Sequence, residues 1–246
     1  MSEQVVLITG AARRVGAATA RALHANGARV VLHYRQARDE AALLAAELEA
    51  LRAGSVALVD GDILDIDRCA AIVDEAAGAF GRLDALVNNA SSFYPTAIGS
   101  ITAREWDDLV GTNLRAPLFL AQAAASHLRE SRGSIVNIVD IHALQPLRGH
   151  VVYTLAKAGL AGLTRSLAME LAPHVRVNGV APGPVMWPDG AGTFETAECD
   201  RVVAQTLLER AGSPQDIART VAFLINDAPY ITGQIIAVDG GRSIYL

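Results

Sequence analysis

A chain of 246 residues, 51% hydrophobic and 19% charged, is sized for one large α/β core or two small ones. Its net charge is −5, and its basic residues do not cluster beyond Arg13-Arg14, which argues against a nucleic-acid partner. No apolar run is long enough to span a bilayer and no signal-peptide pattern leads the chain, so no membrane association is expected. Cys69 and Cys199 cannot form a disulfide framework and read as packing residues in a reducing cytoplasm. The six histidines lack metal-ligand spacing, so no protein metal site is expected.

Strand-like and helix-like segments alternate along the chain. QVVLIT (4–9) is apolar and β-branched, a strand. A glycine-bearing turn follows, then a helix running through ALHANG (22–27). ARVVLHY (28–34) is the second strand, and the alanine- and leucine-rich stretch 37–53 is a helix with charges on one face. SVALVD (55–60) is the third strand, with a helix over 66–79. LDALVNNA (83–90) is the fourth, with one long helix over about 105–130 that Pro117 should kink. SIVNIV (134–139) is the fifth strand and VVYTLAKAGLAGLTRSLAMELA (151–172) a helix. VRVNGVA (175–181) and QIIAVDGG (234–241) are the sixth and seventh strands. Near-continuous apolar strands alternating with helices predict a parallel sheet covered on both faces: a single-domain, doubly wound, Rossmann-type α/β fold over 1–246. Residues 184–208 break the rhythm with Pro, Gly, Trp and Thr. Trp187, Phe194 and the run 202–208 favour an ordered substrate loop with a short helix over a disordered excursion.

The turn after the first strand reads Gly10-x-x-x-Arg14-x-Gly16 and opens a helix. A glycine there lets the backbone approach a pyrophosphate, whose charge the helix N-terminus stabilises. Arg14 either lies in solvent or sets its guanidinium over the phosphates. The second strand ends Leu32-His33-Tyr34-Arg35-Gln36, without the acid that would hold a ribose 2′-hydroxyl. Arg35, with His33 and Tyr34, can instead receive a 2′-phosphate, so NADPH is the expected cofactor. The plainer alternative is a solvated strand-end arginine.

Tyr153 and Lys157 are four residues apart in a helical stretch and therefore share a face. A cation beside a phenol favours the phenolate, which suits proton transfer near neutral pH. Asp140 ends the apolar run of the fifth strand and is placed to join them. It is otherwise a helix cap.

Taken together, Thr9-Gly10 with its turn, Asn88-Asn89-Ala90, Asn113, Tyr153-x-x-x-Lys157 and Pro182-Gly183 resemble the short-chain dehydrogenase/reductase family over essentially the full length. The resemblance implies that Tyr153 is the proton donor, that Lys157 holds the nicotinamide ribose and lowers the Tyr153 pKa, and that Asn113 supports a water relay to Lys157. It further implies that Asp62 contacts adenine and that Val15, Asn89, Ala90, Pro182 and Gly183 line the cofactor channel.

Two positions depart from the common pattern: Arg14 stands in place of a glycine and Asp140 in place of a serine. With NNASSFYPT they resemble the pteridine reductase subgroup. That resemblance implies reduction of a 7,8-dihydropterin such as dihydrobiopterin or dihydromonapterin, with dihydrofolate a weaker substrate. Phe93 would cover one face of the flat ring, Ser91 would meet its amino edge, and Arg14 would reach its carbonyl edge. Tyr94, Pro184, Met186 and Trp187 are candidate walls only. Phe93 as core, and Ser91 and Ser92 as turn formers, are the plainer alternatives. At the level of function the alternatives are a carbonyl reductase, for instance of 3-oxoacyl thioesters, and a non-catalytic cofactor sensor. The family also implies a homotetramer.

Overall fold

The computed structural model describes residues 4–185 and 196–244. Strand β1 (Val5–Ile8) leads through the glycine turn to helix α1 (Arg14–Ala25). Then come β2 (Arg29–Tyr34), α2 (Arg38–Leu51), β3 (Val56–Asp60), α3 (Ile66–Phe80) and β4 (Ala85–Asn88). Helix α4 (Ala103–Val110), a π-helical turn (Gly111–Arg115) and α5 (Ala116–Ser131) lead to β5 (Ser134–Ile138) and α6 (Val151–Leu171). The described chain closes with β6 (Arg176–Pro182), α7 (Thr196–Ala204), α8 (Pro214–Asn226) and β7 (Ile235–Val238).

All seven strands join one parallel sheet in the order β3-β2-β1-β4-β5-β6-β7. This is the Rossmann-type arrangement expected. Side chains alternate across each strand, and β1 shows the consequence. Val6 and Ile8 pack into a core with Leu23 of α1, Leu44 and Leu48 of α2 and Val221 of α8. Val5 and Leu7 face the opposite core, with Ile72 and Val73 of α3 and Leu120 and Leu128 of α5. The winding direction reverses between β1 and β4, and doubly wound sheets bind ligands at the strand C-termini beside such a reversal.

Two elements differ from expectation. The expected helix 105–130 is divided: α4 ends at Val110, and the π turn widens the backbone ahead of Pro117, which occupies the first turn of α5. The backbone keeps helical φ/ψ from Val110 through Ala116, so the chain runs from one helix into the next through the π turn, an irregularity of the kind found inside α-helices. The irregularity therefore lies before the proline rather than at it. Helix α8 is an addition to the expected elements. Its signature is Ser213-Pro214-x-Asp216, where Ser213 Oγ accepts from the Asp216 N–H and the Asp216 carboxylate accepts from the Ser213 N–H. Met186, Trp187 and Phe194 lie outside the described residues.

Candidate active site

The C-terminal ends of β1 and β4 are stitched together by short polar side chains. Thr9 Oγ1 accepts from the N–H groups of Asn89 (2.9 Å) and Ala90 (3.0 Å). Asn89 Nδ2 returns two bonds, to the carbonyls of Thr9 (2.8 Å) and Gly10 (3.0 Å). The turn above them is close-packed. A Cβ on Gly16 would stand 2.3 Å from the Gly10 carbonyl oxygen and 2.7 Å from Asn89 Nδ2, so no side chain fits there. Gly10 has φ +61°, and Arg14 has φ +55°, a left-handed backbone on a residue with a Cβ. Arg14 therefore keeps a conformation natural to glycine, at a cost of about 1 kcal/mol.

Above these strand ends lies a cleft of about 440 Å³. Of the expected residues, Gly10, Arg14, Val15, Gly16, His33, Arg35, Asn89, Ala90, Ser91, Asp140, Tyr153, Lys157, Pro182 and Gly183 line it. Arg13, Ile63, Ser92, Thr112, Val139 and Val185 also line it and were not singled out by sequence. Arg13 had a visible signal, its place beside Arg14 in the turn; its guanidinium ion-pairs with Glu40. The cleft suits a dinucleotide. It has a glycine-built turn at a helix N-terminus, a tight approach at Gly16, and Arg13, Arg14 and Arg35 on the turn side.

The other end of the cleft is dry and strongly coupled. Tyr153 is 4% exposed and Lys157 2%. The Tyr153 hydroxyl donates to Asp140 Oδ2 at 2.6 Å, and Asp140 Oδ1 accepts from the His142 N–H at 2.8 Å. The two readings of Asp140 are thus both realised, one by each carboxylate oxygen: it caps the 3₁₀ turn Ile141–Ala143 and it holds the tyrosine. Lys157 Nζ donates to the Ile138 carbonyl at 2.8 Å and sits 5.8 Å from the Tyr153 ring centre.

This corrects the expected phenolate. Burial and the Asp140 carboxylate both disfavour a negative phenol, so the Tyr153 pKa is pushed well above its ordinary value. Burial lowers Lys157 to about 8, with Asp140 opposing the drop. Tyr153 keeps its proton through the neutral range.

Several expected residues stand elsewhere. Asn113 is fully buried in the π turn. Its Oδ1 accepts from Ser91 Oγ (2.6 Å), and its Nδ2 donates to the Ser92 and Leu109 carbonyls (2.9 Å each). In this arrangement it holds the segment that walls the cleft. Phe93 stacks on His150, with ring centres 4.7 Å apart, and meets the Tyr153 ring at 84°. One of its faces is therefore occupied by protein, and it does not line the cleft. Tyr34, the last residue of β2, does not line the cleft. Asp62 caps the Leu64 N–H (3.0 Å) and lies 3.6 Å from Arg35, beside the cleft. Tyr94 walls a neighbouring depression, where its hydroxyl donates to Asp108 (3.0 Å) and its pKa rises to about 12 through burial and that carboxylate. Pro184 does not line the cleft; its carbonyl accepts from the Gly212 N–H.

His33 differs most from expectation. It is 2% exposed, and burial holds its pKa down to about 4, so it is neutral and offers no cation to a phosphate. No group of three or more potential metal ligands occurs among the described residues.

Residues 10–243 match the protein family described as enoyl-(acyl carrier protein) reductase. The chain belongs to the short-chain dehydrogenase/reductase family. It is 40% identical to pteridine reductase 1 of Leishmania tarentolae, over 98% of this chain and 96% of that one. It is 36% identical to a 3-oxoacyl-[acyl-carrier-protein] reductase of Staphylococcus aureus, over 96% of each. A 3-oxoacyl-[acyl-carrier-protein] reductase of Synechocystis is 34% identical, over 100% of this chain and 99% of its own. Short-chain dehydrogenase/reductases use nicotinamide dinucleotides, and this chain is an oxidoreductase of that family. None of its described helices is long and apolar enough to cross a membrane.

Proposed function

We propose that this oxidoreductase reduces a dihydropterin to the tetrahydropterin with NADPH, taking dihydrobiopterin or dihydromonapterin and, more weakly, dihydrofolate. The observation that carries the reading is the buried Tyr153 hydroxyl bonded at 2.6 Å to Asp140. A C=N bond needs a hydride on carbon and a proton on nitrogen. Bound nicotinamide supplies the hydride. Tyr153, still protonated at neutral pH, supplies the proton, and Asp140 aims the hydroxyl and returns a proton from solvent to it. The Lys157 ammonium offsets negative charge on the phenol oxygen during that exchange. Arg14 supports the pterin assignment: a strained, non-glycine backbone at the cleft is retained where glycine would cost nothing. The 40% identity to a protein named pteridine reductase supports it as well. The Ser91 hydroxyl donates its hydrogen bond to Asn113 Oδ1, which leaves the Ser91 oxygen as an acceptor for the pterin amino edge.

Arg35 stands on the cleft wall as the 2′-phosphate partner, which favours NADPH over NADH. Gly10, Val15, Gly16, Asn89, Ala90, Pro182 and Gly183 line the cleft and would hold the dinucleotide along their backbone, with Lys157 as the residue that would hold its nicotinamide ribose. We read 1–246 as one cofactor-binding domain and 184–208 as its substrate loop. The far end of that loop is tied down where the Leu208 N–H donates to the Gly240 carbonyl and Arg242 donates to the Val202 carbonyl. The assembly we propose is a cytoplasmic homotetramer. Exposed Leu118, Val151, Leu155 and Met169 on α5 and α6 support it, and light scattering of the purified protein tests it.

The identity to 3-oxoacyl reductases makes carbonyl reduction the rival. NADPH oxidation followed with dihydrobiopterin and with a panel of ketones and 3-oxoacyl thioesters separates the two. Rapid oxidation with the pterin and little with ketones is expected. Oxidation with ketones alone overturns the pterin assignment and leaves the family chemistry intact.

A further inference from the structure

His33 lies between the ends of three adjacent strands. Its Nδ1 is 3.3 Å from the Gly10 nitrogen, past the end of β1. Its Nε2 is 3.2 Å from the Gly61 carbonyl oxygen, past the end of β3. The Gly10 N–H can only donate, so Nδ1 must accept. The Gly61 carbonyl can only accept, so Nε2 must carry the proton. One tautomer of the neutral ring satisfies both partners. The His33 backbone adds a third tie, its carbonyl accepting from the Ala11 N–H at 2.9 Å.

Ladder hydrogen bonds hold strands together only as far as the strands run. Past the last rung, the β1–α1 turn and the segment after β3 are each tied back to β2 by one backbone bond, from the Ala11 N–H to the His33 carbonyl and from the Gly61 N–H to the Tyr34 carbonyl at 3.0 Å. The imidazole links the two to each other at the level where the cleft begins. It also takes up the Gly10 N–H at the start of the turn. A buried pair of bonds of this kind is costly to leave unmade. Asp60, Asp62 and Arg68 are the charged groups around the ring, and burial outweighs them in keeping it neutral.

We infer that His33 is a positioning residue for the dinucleotide: its neutral ring, bonded to Gly10 and Gly61, sets the phosphate-binding turn at its working height over the ends of β1, β2 and β3. This rests on the cleft being the cofactor site, and it replaces a direct contact of His33 with a 2′-phosphate. Calorimetric Kd values for NADPH and for NADH, measured on wild type and on His33→Leu, test it. Leucine fills the space and leaves both partners unpaired. Both Kd values should rise about tenfold, by the same factor, which is about 1.4 kcal/mol. The turnover number at saturating cofactor should fall less than threefold. His33→Asn, whose Oδ1 can accept from Gly10, should recover most of the loss.

A folded His33→Leu protein with both Kd values within twofold of wild type overturns the inference. So does a loss confined to NADPH, which would mean direct phosphate contact. If His33→Leu does not fold by circular dichroism, His33→Phe and His33→Met, which also leave Gly10 and Gly61 unpaired, carry the test, and wild-type Kd values in both overturn it. Wild-type protein that prefers NADH sinks the NADPH reading alone, because the brace predicts an equal factor for either cofactor.

Discussion

On the turn side of the cleft the working parts are backbone: Gly10, the crowded Gly16, and α1 opening beneath exposed Arg13 and Arg14. On the α6 side they are the buried Tyr153 and Lys157 and the half-buried Asp140, bonded to one another or to the end of β5. The turn side can carry charged groups because they are exposed and water screens them. The α6 side cannot, and its ionisable groups are shifted instead: tyrosine up, lysine down. In the reaction we propose, binding and proton handling are thus divided between a polar rim and a dry end of one cleft.

The division is broken most severely at its dry end. Tyr153→Phe should lower turnover by about 10³-fold or more while the NADPH Kd stays within about twofold. Steady-state kinetics with calorimetry checks this, and retained turnover would remove the tyrosine from its role. Asp140→Ala should lower pterin turnover by about 10²-fold. It should also cost about 1 kcal/mol of stability, because the His142 N–H loses its cap. A stability loss with full activity would leave Asp140 as a cap only.

Acid should sharpen the comparison through His33. Its folded pKa, about 4, lies below its unfolded value of about 6.5. Between those values the unfolded chain binds the proton more readily than the native protein, so stability falls as pH falls. The loss should reach roughly 3 kcal/mol by pH 4 and be absent above pH 6.5. Urea titrations of wild type and His33→Leu at pH 7 and 4.5 should give a steeper loss in wild type.

At the rim the effects are smaller. Arg35→Ser should reduce the preference for NADPH over NADH about tenfold without changing the NADH Kd, read by calorimetry with each cofactor. The smallest effect has the opposite sign. Arg14→Gly should raise stability by about 1 kcal/mol in urea unfolding, since glycine takes φ +55° freely. Its pterin turnover should fall. A variant both more stable and fully active would free Arg14 of any part in the reaction.

Strand composition and helix spacing were enough to order the seven strands and to put Tyr153 and Lys157 on one helical face, because both follow from local periodicity. The glycine turn and the arginines beside it were legible for the same reason. Long-range proximity was not. Asp140 beside Tyr153, 13 positions on, is the exception, because the end of the fifth strand delivers it there; His33 reaches Gly61 across 28 and Gly10 across 23, and Asn113 reaches Ser91 across 22. The ionisation of these groups depends on how much water the fold removes from them, and no sequence spacing carries that quantity. So the residue types and their strand-end positions came from the sequence. The tertiary structure decided that Tyr153 keeps its proton, that His33 is a brace rather than a cation, and that Phe93 stacks on His150. Burial and partner geometry exist only once the sheet has closed over its two cores.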